Sequence, residues 1–173
     1  MKQTIIAVIC FLCVSSLYIQ AQKINHPSLL YTPQRIQQVK QRMQHEPKLQ
    51  EAWGDIKRTA DEALQKKDFN RLDYLSLAYL MTDNKEYADV IKEILLKTVE
   101  AESWGDVEMM ARIPAWRSQL GMAHKSFLSA VGYDAAYNVM SSSERKKIAE
   151  GLKRLAVEPA LGDWLLEPTR IHS

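Results

Sequence analysis

The chain has 173 residues, the size of one ordinary domain. With 46% hydrophobic and 25% charged residues, and only 6 Gly and 6 Pro, it has material for a core and does not fit a disordered chain or a loop-rich β-protein. The net charge of +2 comes without a basic stripe, which argues against nucleic acid as partner; Lys66-Lys67 and Arg145-Lys146-Lys147 read as solvated helix surface.

Residues 1–21 read as a secretory signal peptide. Lys2 supplies a short positive start, Ile5 to Leu17 is an apolar run interrupted only by Ser15 and Ser16, and Ala21 offers a small residue for cleavage. The run is too short for a membrane span, so no stable membrane anchor is expected, and the destination is periplasmic or extracellular. Cys10 and Cys13 lie inside this leader and outside a lipoprotein cleavage context. The mature chain therefore has no cysteine, hence no disulfide, thiol nucleophile or thiolate metal site. Its only lost charge is Lys2, which leaves it close to neutral.

An extended lead-in, Lys23 to Tyr31, precedes Thr32-Pro33, a helix start with Thr as N-cap and Pro at the first helical position. Ile36, Val39 and Met43 follow at helical spacing. Glu46-Pro47 ends that helix and opens a second, with Leu49, Trp53, Ile56, Ala60 and Ala63 on one face. A third helix is predicted from about Phe69 to Met81, then a tight turn at Thr82-Asp83-Asn84, then a fourth helix carrying Tyr87, Val90, Ile91, Ile94, Leu95 and Val99. The short turn makes these two an antiparallel hairpin. Trp104 to Pro114 reads as the longest loop. A fifth helix is expected from Trp116 to Met140, with Leu120, His124, Phe127 and Val131 on its core face. Ser141-x-x-Glu144 is a capping box opening a sixth helix, which Pro159 is expected to stop. No alternating β-branched run suggests a strand. The expected class is all-α, as repeated helical hairpins.

Four segments, in order, resemble the N-terminal part of the heparinase II/III-like polysaccharide lyases. His26-Pro27-Ser28-Leu29-Leu30-Tyr31-Thr32 is similar to that family's entry segment, and Leu77 to Ala88 to its helical hairpin. Gly121-Met122-Ala123-His124 with Ala130-Val131-Gly132-Tyr133-Asp134 is similar to its core helix. Arg170-Ile171-His172-Ser173 is similar to the arginine-containing stretch just before its catalytic Asn or His. The resemblance implies that residues 22–173 are the first part of an (α/α) toroid, incomplete here, from an enzyme that cleaves uronic-acid polysaccharides by β-elimination. It implies catalytic residues beyond Ser173, so the chain is not expected to be active alone. A toroid cut short would also expose apolar surface.

Elimination takes a proton from the carbon beside a uronate carboxylate. It needs a donor that neutralises the carboxylate, a base, and an acid for the leaving oxygen; Asn, His, Arg and Tyr suit these roles without a metal or cofactor. The residues expected to bind an acidic polysaccharide are Trp116, Arg117 and Gln119 beside the long loop, and Arg170 and His172 at the end. Aromatic faces stack on sugar rings and guanidinium forks grip carboxylates. The competing reading makes the Trp residues core seals, Trp53 above all, and His124 a hydrogen-bonded core residue. A Tyr133–Asp134 hydrogen bond would be structural, while Asp106 and Glu108 are loop acids. His26 and His45 have no partners at metal-ligand spacing. Two other functions remain open: a non-catalytic helical-repeat module binding a glycan or protein, and a toroid hydrolase of the unsaturated-uronyl type.

Overall fold

The computed structural model describes residues 24–113 and 115–166, and among these the protein is all-α with no strand. The helices are α1 (Pro33–Met43), α2 (Pro47–Lys66), α3 (Leu72–Thr82), α4 (Lys85–Thr98), the single turn α5 (Val107–Met110), α6 (Leu120–Ala136), α7 (Ser142–Leu152) and the short α8 (Glu158–Leu161).

The starts and stops follow from side-chain chemistry. Thr32 Oγ1 accepts the Arg35 N–H at 3.3 Å and Pro33 occupies the first turn of α1. Pro47 opens α2 in the same way. Lys67, at φ 51°, ends α2 in the left-handed conformation, and the Asp68 N–H reaches back to the Ala63 carbonyl at 3.1 Å. The Asp68 side chain then caps a 3₁₀ turn, Phe69–Arg71, that leads into α3. Asp83, at φ 57°, ends α3, and Asn84 Oδ1 caps α4 by accepting the Glu86 N–H. The Ser141–Glu144 capping box is complete: Ser141 Oγ accepts the Glu144 N–H and Glu144 accepts the Ser141 N–H at 2.8 Å.

α3 is the middle of the bundle. It packs on α2, α4 and α6, and α4 packs on α6 in turn. Leu72, Leu75 and Ala78 from α3 meet Tyr87, Ile91 and Leu95 from α4, with Ala60 and Ala63 of α2 letting that helix come close. Gly132 of α6 sits so near α3 and α4 that a Cβ there would lie 3.3 Å from Ile91 and 3.4 Å from Leu72. Gly151 is tighter: a Cβ would fall 2.4 Å from the Val99 Cβ, which brings α7 against the end of α4.

Four expectations are corrected. The fifth helix begins at Leu120 instead of Trp116, because Gln119, in extended conformation, caps it and residues 115–119 have no regular secondary structure. The long loop contains a helical turn, α5, capped by Asp106. Of the expected core face of α6, Val131 is buried, but Leu120, His124 and Phe127 look outward, with Leu120 89% and Phe127 52% exposed; Met122, Leu128, Ala135 and Ala136 are among the residues buried in their place. Apolar residues occur on most sides of this helix, so spacing alone allowed either phase. Lastly, Pro159 does not end the sixth helix. The backbone widens into a π-turn over Lys153–Val157, with the Glu158 N–H bonded to the Lys153 carbonyl, and this accommodates the proline at the start of α8. A second π-turn, Gly162–Leu166, follows.

Paired substitutions check this packing by chemical denaturation. Gly54, in mid-helix with open space where a Cβ would go, should gain stability of about 1 kcal/mol on change to Ala. Gly151→Ala should instead lose about 1–3 kcal/mol, since the Val99 Cβ cannot move away on its own. Leu128→Ala should cost about 2–5 kcal/mol and Leu120→Ala less than about 0.5 kcal/mol; the reverse order would restore the expected phase of α6.

Candidate functional site

Two buried carboxylates organise the segments that flank α6. Asp134, on the buried side of α6, receives the lead-in. The Ser28 N–H donates to Oδ2 at 2.8 Å, the Leu29 N–H donates to Oδ2 at 2.8 Å, and His26 Nδ1 lies 2.6 Å from Oδ1. The His26 ring stacks on Tyr137 at 3.8 Å, Arg145 covers Tyr137, and Asn138 Nδ2 donates to the His26 carbonyl at 2.9 Å. His26 is thus an anchor of the lead-in. The expected Tyr133–Asp134 bond is not formed: the Tyr133 hydroxyl donates to the Arg145 carbonyl.

Asp163, fully buried in the last π-turn, does the same for the segment before α6. It accepts the Arg117 N–H at 2.6 Å, the Ser118 N–H at 2.7 Å and the Arg117 Nε–H at 2.9 Å, with Arg117 Nη2 at 2.8 Å. The guanidinium lies against Gly162, where a Cβ would be 2.4 Å from Nη2. Trp116 meets Trp164 edge-on at 5.4 Å, and Gln119 Oε1 accepts the Gly121 N–H at 3.1 Å. Three of the five expected binding residues, Trp116, Arg117 and Gln119, therefore share one segment set in place by Asp163. Arg170 and His172 lie outside the described residues.

Burial raises both carboxyls, but the hydrogen bonds outweigh it. Leu29, His26 and Ser28 hold Asp134 below its ordinary value of 3.8, and Ser118 and Arg117 do so for Asp163. The tyrosines move the other way. Tyr31 is pushed up to about 12 by burial, with Asp73 and Tyr74 adding to it. Burial also raises Tyr79, Tyr87 and Tyr133, and Tyr87 donates to Asp61. None of these four is prepared to act as a phenolate base near neutral pH.

A separate cleft of about 650 Å³ opens between the C-terminal ends of α2 and α4 and the first two turns of α6. Lys66 and Lys67 come from α2 and its cap, Glu93 and Lys97 from α4, and Lys125 from α6. Phe69 and Trp104 add aromatic wall; Trp104 is itself core, 3% exposed, with Nε1 donating to the Thr98 carbonyl. Lys67 Nζ sits 2.7 Å from both Glu93 oxygens. Among the described residues the cleft offers ammonium groups, one carboxylate and aromatic surface, a set able to bind an anion, with no Tyr, His or Asn in its walls to carry out elimination. Lys66-Lys67 reads in the sequence as solvated surface, and Lys97 and Lys125, which join it in the cleft, lie 30 and more residues further along the chain. Among the described residues no cluster of His, Cys, Asp or Glu is placed to hold a metal ion, and no helix is long and apolar enough to cross a membrane.

The carboxylate anchors predict an acid limb of stability. Because both folded values lie below the unfolded ones, their contribution is fully present above about pH 4 and is lost as the pH falls through the folded values. Asp134→Asn should cost about 1–3 kcal/mol at neutral pH and flatten the decline below pH 4; an unchanged acid limb in urea titrations would contradict this. Comparison with known proteins finds no family model, no curated protein and no solved structure that matches this chain.

Proposed function

We propose that this chain is the opening helical part of an exported polysaccharide lyase, the start of an (α/α) toroid that acts on uronic-acid glycans by β-elimination. The observation that carries the reading is the Asp134 anchor. Two of the segments that resemble the lyase family, His26–Thr32 and the stretch ending at Tyr133-Asp134, lie 105 to 108 residues apart and are bonded directly to each other. The likeness therefore falls on parts that form one packed unit. The hairpin segment, Leu77 to Ala88, supplies the joint between α3 and α4. Outward-facing Leu120, Phe127, Trp164, Leu165 and Leu166 offer apolar surface on which further helices of a toroid could pack.

In this reading the chain's own part is to hold an acidic sugar chain. The elimination chemistry, with its neutralising donor, base and acid, belongs to residues past those described. The second reading is a helical module that binds an acidic glycan without reacting with it. The lysine cleft, which among the described residues has binding groups and none of the usual elimination groups, favours it.

Formation of an unsaturated uronate, followed by ultraviolet absorbance over a panel of uronic-acid polysaccharides, decides between them. We expect signal from the longest form of the protein its source makes and none from these 173 residues alone. Silence from the longest form on every polysaccharide would leave the binding module.

A further inference from the structure

We infer that the cleft between α2, α4 and α6 binds a short acidic oligosaccharide, its carboxylates or sulfates held by Lys66, Lys97 and Lys125. The choice of a sugar rests on the lyase reading; the site rests on the geometry. The cleft, at about 650 Å³, is within the usual size of ligand pockets, about 300–1,000 Å³.

The cleft is set apart by bringing four lysines, Lys66, Lys67, Lys97 and Lys125, to one concavity. Elsewhere several lysines come with acids, Lys57 with Asp61, Lys92 with Asp89 and Glu144, Lys147 with Glu100, Lys153 with Glu158, while among the described residues Lys40, Lys48 and Lys85 have no carboxylate in ion-pair range. In the cleft, Lys67 holds Glu93 and Lys66 reaches Glu62 only at 4.0 Å. Among the described residues Lys97 and Lys125 have no carboxylate in ion-pair range. Lys66 and Lys97 are in the last turns of their helices, where the macrodipole favours a cation. Lys125, near the start of α6, has no such compensation. Ammonium groups that line one cleft repel one another, and a bound anion offsets that repulsion.

The occupant follows from the wall. Lysines are point charges on flexible stems, suited to carboxylates and sulfates spaced along a sugar chain. Glu93 can accept sugar hydroxyls, which are frequent along a sugar chain and sparse along an oligonucleotide. Phe69 gives an apolar surface for a ring face.

Calorimetric titration of the whole chain tests this, using a short uronic-acid oligosaccharide, a neutral one of equal length and an oligonucleotide of equal charge. The acidic sugar should bind and the neutral one should not. Lys97→Gln with Lys125→Gln should raise Kd about tenfold, and Glu93→Gln, which frees Lys67 and removes an acid from the wall, should lower it about threefold. A gain of affinity cannot come from misfolding. Lys146→Gln with Lys153→Gln, the same charge change on α7 and its extension, should leave Kd where it was.

Absence of binding, equal loss in the control pair, or tighter binding of the oligonucleotide would overturn the inference. Glycan binding that ignores the cleft substitutions would overturn it while leaving the lyase reading intact. If the ultraviolet assay is silent in every form yet the cleft variants behave as expected, the lyase reading falls and this site stands.

Discussion

The architecture depends on carboxylates that are buried and answered by backbone N–H groups. An ionised carboxyl out of water is costly unless its oxygens are satisfied. Asp134 and Asp163 meet that condition by drawing in stretches of chain that have no regular secondary structure of their own. One pins the lead-in before α1, the other the segment before α6. Each bond satisfies an amide that would otherwise be unpaired and fixes the path of the chain on either side of the bundle.

The helical part of this plan is legible in the sequence because it is local. Thr32-Pro33, Pro47, Asn84 and the Ser141–Glu144 box act over three or four residues, and each starts a helix where its chemistry says it should. The α3–α4 hairpin needs only a short turn and two apolar stripes. Where the local signal is ambiguous, the reading fails. α6 is apolar on most sides, so Leu120 and Phe127 could not be told from Met122 and Leu128 without the neighbouring helices. Pro159 signals a stop in α-helical geometry, and nothing nearby in the sequence announces the π-turn that lets the helix pass it.

The site was less legible than the fold for the same reason. Trp116, Arg117 and Gln119 stand out in the sequence by type, and they do share one segment. What holds that segment, Asp163, is a single acid among apolar residues more than 40 positions later. The lysine cleft is assembled from three helices, and each of its residues taken alone looks like ordinary helix surface. Residues far apart in sequence and close in space leave no periodic trace.

The anchors also separate backbone protection from secondary structure. The amides of Ser28, Leu29, Arg117 and Ser118 belong to no helix, yet each is bonded to a buried carboxylate. Their hydrogen exchange is governed by the opening of a side-chain clamp, so these irregular stretches exchange with the helices they are tied to, as a helical interior would, and the cooperative unit of the bundle reaches past the ends of its helices.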